Sequence, residues 1–563
     1  MSNGLRLTGS AAALAATLVA LLLAATGSAR AQQRPDATAA LRWRACGQED
    51  PDTGETPVAF CATLQVPKDY GHPQQGTVSL AIARSPATDP RDRIGSLFLN
   101  FGGPGGTAVD TIQATGSSLF PALNRRFDVI GFDPRGVGQS RPSIDCDANQ
   151  ETQGVYAQPF ERPETLNVNA MVDRDQSYIR RCVNRNRAIL PYVSTANAAR
   201  DLDRMRAAVG DDKLTYLGFS YGTFLGATYE SMFPHNARAI VLDGALDPDQ
   251  YINDPLSSLD EQTAGFERAI GRFLQACAAH QDACQGFGGD DPWMALDQLI
   301  DRANIAPIPA PRNVDPRAIS GDDIDAAVVQ AVYNKGYWPL IAQALAEAQA
   351  GDASFMRSFV DLFYGWLAPG RYDPISDRYF TLSADEQRYP RDVQTYVKEG
   401  RRSYQDYPHA WWNHGYSELA WGLYPIRANS VFAGPFRNPA DAETTLVVGT
   451  AYDPATPYKE AQRLTAQLGN ARLLTMDGDG HTAYGGNSTC IDANVEAYLD
   501  DTALPPAGTH CPQDLVPFAT PQAAPQTQAA PEAKALPQAL TQGQQSVHRL
   551  KQLTPGVRPW TLR

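Results

Sequence analysis

Short apolar segments alternate with amphipathic segments along the first 245 residues of the chain. Residues 77–83 alternate between polar and apolar side chains, as a half-buried strand does. Apolar runs that predict buried strands occupy residues 96–100, 127–132, 215–218 and 239–243. Residues 196–209 have helical periodicity, with Thr195 as the predicted N-cap and Gly210 at the end. Strands that alternate with helices predict an α/β fold with a mostly parallel sheet.

The pattern changes between residues 246 and 443, where helical periodicity, aromatic residues and prolines dominate and no clear strand occurs. Predicted helices in this block cover residues 266–277, 324–333 and 337–350. Strand patterns return at residues 445–448 and 471–476. A helical block inserted into a sheet predicts a cap over an active site, with residues 32–245 and 444–515 forming the sheet domain. The alternative is a separate helical domain in tandem, which would not need strands after it.

Both ends of the chain differ in composition from a folded domain. Arg6, an apolar run from Ala11 to Ala25 and the A-x-A tripeptide Ala29-Arg30-Ala31 predict a signal peptide over residues 1–31. We therefore expect export to the periplasm or the cell exterior, with no stable membrane insertion after cleavage. The alternative is a membrane anchor, for which the apolar run is short. Residues 516–563 are rich in Pro, Ala and Gln, which predicts a disordered tail.

The eight cysteines fit an exported protein, because disulfides persist in oxidising compartments. Their proximity in the sequence suggests four disulfides: Cys46–Cys61, Cys146–Cys182, Cys277–Cys284 and Cys490–Cys511. No C-x-x-C element occurs, which argues against a zinc site or a redox motif. We expect neither a metal nor a cofactor.

The charge of the chain bears on its partners. The chain has 563 residues, of which 43% are hydrophobic and 20% charged, as in a soluble globular enzyme. Its formal net charge of -14 makes it a poor candidate for binding nucleic acid or anionic membrane through bulk charge.

The segment Gly218-Phe219-Ser220-Tyr221-Gly222 places a serine between two glycines, where a predicted strand turns into a predicted helix. A nucleophile at such a turn sits on a strained backbone that exposes its hydroxyl group above the sheet. Ser220 is therefore the predicted nucleophile.

A serine nucleophile needs a base, usually a histidine that a carboxylate orients. His481 follows a predicted strand in the glycine-rich loop of residues 477–481, and we predict it as the base. Asp453 comes just after the strand at residues 445–448 and is the favoured carboxylate. Asp243, at the end of the strand before the cap, is the alternative.

The oxyanion of an acyl-transfer intermediate needs a pair of N–H donors. Residues 100–106 follow an apolar strand and are rich in glycine. We predict the N–H of Tyr221, directly after the nucleophile, as one donor and the N–H of Gly103 as the other, with the N–H of Gly102 as the alternative. A phosphate-binding role is disfavoured, because the loop lacks the lysine and the glycine spacing of a P-loop.

Three of these stretches together resemble the α/β-hydrolase fold, specifically its proline iminopeptidase and tripeptidyl aminopeptidase branch. Residues 102–105 resemble the H-G-G-P-G element of that branch, and residues 132–140 resemble its D-x-R-G-x-G-x-S stretch. Residues 449–458 resemble the G-T-x-D-P-x-T-P segment that opens the C-terminal TAP-like region. The similarity runs from about Trp43 to Cys511 and is weakest in the cap.

Two departures from the family pattern bear on the function. Phe101 replaces the histidine that often opens the glycine loop, so no role of that histidine is carried over. Residues 221–223 (Tyr-Gly-Thr) replace a tryptophan-containing elbow, which favours the tripeptidyl and esterase-like relatives. The resemblance implies an aminopeptidase in which a cap carboxylate receives the substrate's α-ammonium, with Glu261 and Glu267 as candidates. The alternatives are a carboxylesterase with the same triad and a catalytically inactive binding protein. For an enzyme of either kind, the expected partner is a peptide or a small ester substrate.

Overall fold

The computed structural model describes residues 41–49, 54–516 and 518. The predicted signal peptide and nearly all of the predicted tail lie outside the described residues. The described chain forms a ten-stranded sheet with the order β1-β2-β3-β5-β4-β6-β7-β10-β11-β12. Its strands are β1 Arg44–Ala45, β2 Phe60–Pro67, β3 Thr77–Ser85, β4 Gly95–Asn100, β5 Phe127–Asp133, β6 Leu214–Phe219, β7 Ala237–Asp243, β10 Thr445–Tyr452, β11 Ala471–Asp479 and β12 His510–Pro512.

The direction of the strands divides the sheet into two parts. The pairs β1–β2, β2–β3 and β3–β5 are antiparallel. From β5 to β12 every pair is parallel. Each strand predicted from the sequence is present, with bounds that extend the prediction by a few residues. The predicted α/β fold with a mostly parallel sheet is confirmed.

Helices cover both faces of the sheet, as a parallel sheet requires. The helices of the sheet domain are α1 Val109–Thr115, α2 Pro121–Asn124, α3 Val168–Asn186, α4 Thr195–Val209, α5 Tyr221–Met232, α15 Tyr458–Leu468 and α16 Thr489–Asp501. Along β6, Tyr216 points into the apolar core on the α4 and α5 side, and Leu217 points into the opposite core with α1 and α16. The predicted N-cap of α4 is wrong by one residue, because the Ser194 side chain accepts the hydrogen bond from Asn197 N and Thr195 begins the helix.

The chain leaves the sheet after β7 and returns at β10, its parallel neighbour. Between them lie α6 Pro248–Asn253, α7 Pro255–Ala279, α8 Pro292–Ile305, α9 Gly321–Val332, α10 Trp338–Gln349, α11 Ser354–Tyr364, α12 Ile375–Glu386, α13 Val393–Asp406 and α14 Leu419–Leu423. This block, called the cap below, also contains the small hairpin β8 Trp366–Ala368 and β9 Arg371–Tyr372. The sequence predicted no clear strand in this block, and the two strands of the hairpin correct that prediction.

A segment before α4 also packs against the cap, and the sequence patterns did not predict this. The buried Asp377 of α12 accepts hydrogen bonds from Cys146 N at 2.9 Å and from Tyr178 Oη at 2.8 Å. Gln150 donates to the same carboxylate at 2.9 Å. The contact surface of the cap therefore includes α3 and the loop before it.

The cysteines bear on the compartment of the protein. The four proposed disulfides are formed, and no free cysteine remains in the described chain, which contains all eight. This pattern fits an exported protein. None of the described helices combines the length and the apolar character needed to span a bilayer.

The carboxyl group of Glu230 predicts a pH dependence of stability. It is buried between α5 and β10, where Oε1 accepts from Thr445 Oγ1 at 2.5 Å and Oε2 has no partner among the described residues. Burial raises the pKa of Glu230 to about 8 from an ordinary 4.5. The folded state therefore holds a proton that the unfolded state releases, and stability falls as pH rises through this window. The expected contribution to the fall is about 4–5 kcal/mol.

Glu230→Gln is expected to remove this contribution, which urea unfolding at about pH 5 and about pH 9 measures as a change in the free energy of unfolding. Glu443→Gln is the matched control, because Glu443 is exposed beside Lys213. An unchanged pH dependence in Glu230→Gln would contradict the assignment.

Candidate active site

Ser220 lies at the sharp turn between β6 and α5, with φ 56° and ψ -125°. A positive φ is unusual for a residue other than glycine and marks a constrained turn. The Ser220 N–H donates to Asp243 O at 2.9 Å, which ties the turn to the end of β7. A Cβ atom at Gly222 would lie 2.7 Å from Asn100 O, so the helix can approach β4 this closely only with glycine there. The turn has the geometry that the sequence predicts for a nucleophile.

Asp453 and His481 meet at the ends of β10 and β11. His481 Nδ1 lies 3.0 Å from both carboxylate oxygens of Asp453. The buried Asp453 carboxylate also accepts from Ala455 N and Thr456 N at 2.9 Å each, and from Thr482 N at 3.3 Å. These donors fix the carboxylate, which in turn fixes the imidazole ring. A proton on Nδ1 leaves Nε2 free to accept one.

Asp243, the alternative carboxylate, faces the backbone of the histidine loop. Its Oδ2 atom accepts from Tyr484 N at 2.8 Å, and both oxygens lie 3.0 Å from Ala483 N. Burial raises the pKa of Asp243 to about 7. The neighbouring Gly244 abuts the ring of His481, since a Cβ atom there would lie 3.0 Å from Cε1. The geometry favours Asp453 as the partner of the ring and Asp243 as a brace of the loop.

The predicted oxyanion donors flank Ser220. Tyr221 is the first residue of α5, where an N–H has no acceptor within its own helix. Gly103 lines the same cavity as Ser220. The loop before it is braced, because Gly102 N donates to Asn100 Oδ1 at 3.0 Å and Gly106 N donates to Gly102 O at 3.1 Å. Both predicted donors thus lie on the backbone close to the serine, and hydrogen bonds hold the loop that contains Gly103.

The cap holds the histidine loop directly, which the sequence patterns did not predict. His481 N donates to Tyr333 O at 2.7 Å. Lys335 Nζ lies 2.8 Å from Asp479 Oδ2, and Arg272 pairs with the same carboxylate. Although burial opposes it, hydrogen bonds from Arg272 and Lys335 lower the pKa of Asp479. Asp479 is therefore an anion that joins the loop to two helical segments of the cap.

A cavity of about 220 Å³ lies between Ser220 and the cap. Part of its wall is aromatic, formed by Tyr156, Tyr251, Phe266, Tyr333, Phe363, Tyr379, Tyr389 and Trp412. Among the described residues, the lining contains one carboxylate, Glu460, and no basic side chain. The cavity suits a small substrate that carries apolar groups and no negative charge.

Neither carboxylate proposed from the sequence for the α-ammonium lines this cavity. Glu261 lies 2.6 Å from Arg463 and 3.0 Å from Lys459. Glu267 lies 3.1 Å from the ring of His409 and accepts from the backbone of residues 409 and 410. The proposal that one of these two carboxylates receives the α-ammonium is therefore corrected, because each is already paired with other side chains away from the cavity.

In the described part of the chain, one group of side chains has the spacing of a metal site: Cys146, Cys182 and Asp377. The two sulfurs form a disulfide, so neither offers a thiolate. The group is part of the contact between α3 and the cap.

Gly102→Ala is expected to lower kcat/KM by at least about 100-fold, because small displacements of reacting groups are costly. Gly102 has φ +89°, and a Cβ atom there would lie 2.6 Å from Phe219 O and 2.8 Å from Ser220 Cβ. Gly210→Ala is the matched control, since Gly210 has φ +93° and open space around the added atom. Steady-state kinetics of both variants test this, and equal activities would show that the contact at the turn is unimportant.

Known proteins match this chain over most of its length. Residues 96–298 match the α/β hydrolase fold family, and residues 428–511 match the TAP-like protein family. Serine protease Hip1 of Mycobacterium tuberculosis is 33% identical, over 89% of this chain and 96% of that protein. Carboxylesterase B of the same organism is 33% identical, over 83% of this chain and 89% of that protein. The tripeptidyl aminopeptidase of Streptomyces coelicolor is 29% identical, over 88% of this chain and 90% of that protein. The chain belongs to the α/β-hydrolase family, in the branch with a TAP-like C-terminal region, and is a serine hydrolase.

Proposed function

We propose that this serine hydrolase is an aminopeptidase that releases di- or tripeptides from free peptide N-termini. The observation that carries the proposal is the lining of the cavity at Ser220, with one carboxylate and no basic side chain among the described residues. Such a site favours the cationic end of a peptide over its carboxylate end. The relatives named serine protease and tripeptidyl aminopeptidase support a peptide substrate.

In the proposed mechanism, Ser220 Oγ attacks the scissile carbonyl carbon while His481 Nε2 takes its proton. Asp453 holds the imidazole ring in the tautomer that this step needs. The N–H groups of Gly103 and Tyr221 stabilise the negative charge that develops on the carbonyl oxygen. His481 then gives the proton to the leaving amine, and a water molecule hydrolyses the acyl-enzyme with the same histidine as base.

We also propose that the enzyme acts in the periplasm or outside the cell. The four disulfides support an oxidising compartment. The signal peptide predicted at residues 1–31 supports export by the sequence alone. Fractionation of the producing cells tests the location.

N-acetylation of a peptide substrate is expected to lower kcat/KM by about tenfold to hundredfold. A buried charge-assisted hydrogen bond contributes roughly 1.5–3 kcal/mol, and acetylation removes the charge of the α-ammonium. The measurement compares one tripeptide amide with its N-acetyl form at a pH where the free amine is protonated. The kcat/KM of a short acyl ester serves as the reference for intact chemistry.

Carboxylesterase activity is the second candidate function. The aromatic wall of the cavity suits an acyl chain, and one relative is named carboxylesterase B. Equal rates for free and acetylated peptides, together with faster ester hydrolysis, would replace the aminopeptidase with the esterase.

A further inference from the structure

Glu460 differs from the other acidic side chains around the active site because it faces the substrate cavity. It lies in the first turn of α15, where its N–H donates to Pro457 O at 2.7 Å. The residue is 1% exposed, and its Oε2 atom accepts from Asp247 N at 3.0 Å. Burying a carboxylate that accepts so few hydrogen bonds costs free energy, unless a ligand supplies the missing partner.

The cations near Glu460 are engaged elsewhere. Arg463 lies 2.6 Å from Asp247 Oδ2 and 2.6 Å from Glu261 Oε2. Lys459 lies 3.0 Å from Glu261. Among the described residues, no basic nitrogen lies within 4.0 Å of the Glu460 carboxylate. Burial raises the pKa of Glu460 well above its ordinary value, and a cation that entered the cavity would oppose this shift.

Two chain segments place Glu460 close to the catalytic groups. Thr456 Oγ1 lies 3.3 Å from His481 Nδ1, and Glu460 follows Thr456 by about one helical turn. The second segment begins at Gly244, which abuts the imidazole ring of His481, and reaches Asp247, whose backbone N–H donates to Glu460 Oε2. The three peptide steps from Gly244 to Asp247 span at most about 11 Å, which is also the reach of an extended tripeptide.

We propose that Glu460 binds the α-ammonium group of the substrate and thereby limits the released product to two or three residues. This inference rests on the proposed aminopeptidase function and names its recognition residue. The carboxylate belongs to α15 of the sheet domain, whereas the family resemblance implies one in the cap. The incoming ammonium supplies the missing partner and keeps the carboxylate ionised in the complex.

Glu460→Gln tests the proposal, because glutamine has the same size and keeps an oxygen that accepts from Asp247 N. The expected result is a loss of at least tenfold in kcat/KM for a free tripeptide amide, mainly through KM. The kcat/KM values for the N-acetyl tripeptide amide and a short acyl ester are expected to change by less than about threefold. The ratio between free and acetylated substrates then falls close to one.

Glu261→Gln is the matched control, since Glu261 lies outside the cavity lining and pairs with Arg463 and Lys459. It is expected to keep the wild-type preference for a free amine. Thermal unfolding monitors the fold of each variant. If Glu460→Gln does not fold, Glu460→Asp replaces it, with a rise in KM for the free peptide of at least about threefold as the expected result.

The outcomes separate the inference from the proposed function. A Glu460→Gln enzyme that keeps the wild-type ratio, or a Glu460→Asp enzyme with unchanged KM, overturns the role of Glu460 and leaves the aminopeptidase function intact. A wild-type enzyme with no preference for the free amine overturns the aminopeptidase function and the role of Glu460 with it.

Discussion

Ser220→Ala is expected to lower kcat by about 10⁴-fold or more on every substrate of the enzyme. The change removes the attacking oxygen, and only the oxyanion donors and substrate binding then remain to accelerate hydrolysis. The fold should persist, because the backbone bond from residue 220 to Asp243 O does not involve the side chain. Steady-state kinetics measure the loss, and circular dichroism with a thermal melt monitors the fold.

A fluorophosphonate probe gives an independent test of the nucleophile. The probe is expected to label the wild-type enzyme and to leave Ser220→Ala unlabelled, because it reacts with an activated serine. Labelling of the variant at an equal rate would show that another residue is the nucleophile. Absence of labelling in the folded wild-type enzyme would favour the catalytically inactive binding protein.

Asp453→Asn is expected to lower kcat by about 10⁴-fold, the loss that the same change causes in a serine protease triad. The asparagine oxygen can still accept from Ala455 N and Thr456 N, so the loop before α15 should keep its shape. An amide NH₂ group facing His481 Nδ1 favours the wrong tautomer of the ring. Kinetics on one peptide and one ester substrate measure the loss.

Asp243→Asn is the matched control for this change. Asp243 Oδ2 accepts hydrogen bonds from both Ala483 N and Tyr484 N, so an asparagine oxygen in the same place can still accept from both donors. We expect a loss of activity at least tenfold smaller than that of Asp453→Asn. The opposite ranking of the two variants would reassign the catalytic acid to Asp243.

Local sequence patterns were enough to predict the framework of the sheet. The strand before Ser220 is mostly apolar and buried throughout, and glycine at position 222 follows the serine because the helix approaches Asn100 O closely. These signals span a few residues each, so a single sequence contains them. The proximity of cysteines along the chain likewise predicted the four disulfides.

Contacts between distant segments were beyond the reach of these patterns. Asp377 binds Tyr178 across 199 positions, and Lys335 reaches Asp479 of the histidine loop. No local periodicity encodes either pair. The carboxylate for the α-ammonium was wrongly predicted for the same reason, since Glu261 is paired with Arg463, which lies 202 positions later. The roles of the predicted catalytic residues stay predictions until the variants are measured.

The order of strands along the chain sets the order in which the predicted catalytic groups are made during synthesis. Ser220 and β7 are made first, the whole cap follows, and Asp453 and His481 arrive only with β10 and β11. Until then β7 is an open edge, because its neighbour in the finished sheet is β10. A growing or truncated chain thus contains Ser220 without the predicted base, His481. We expect such a chain to be inert toward peptide bonds and hydrolysis to begin only after β10 and β11 are in place.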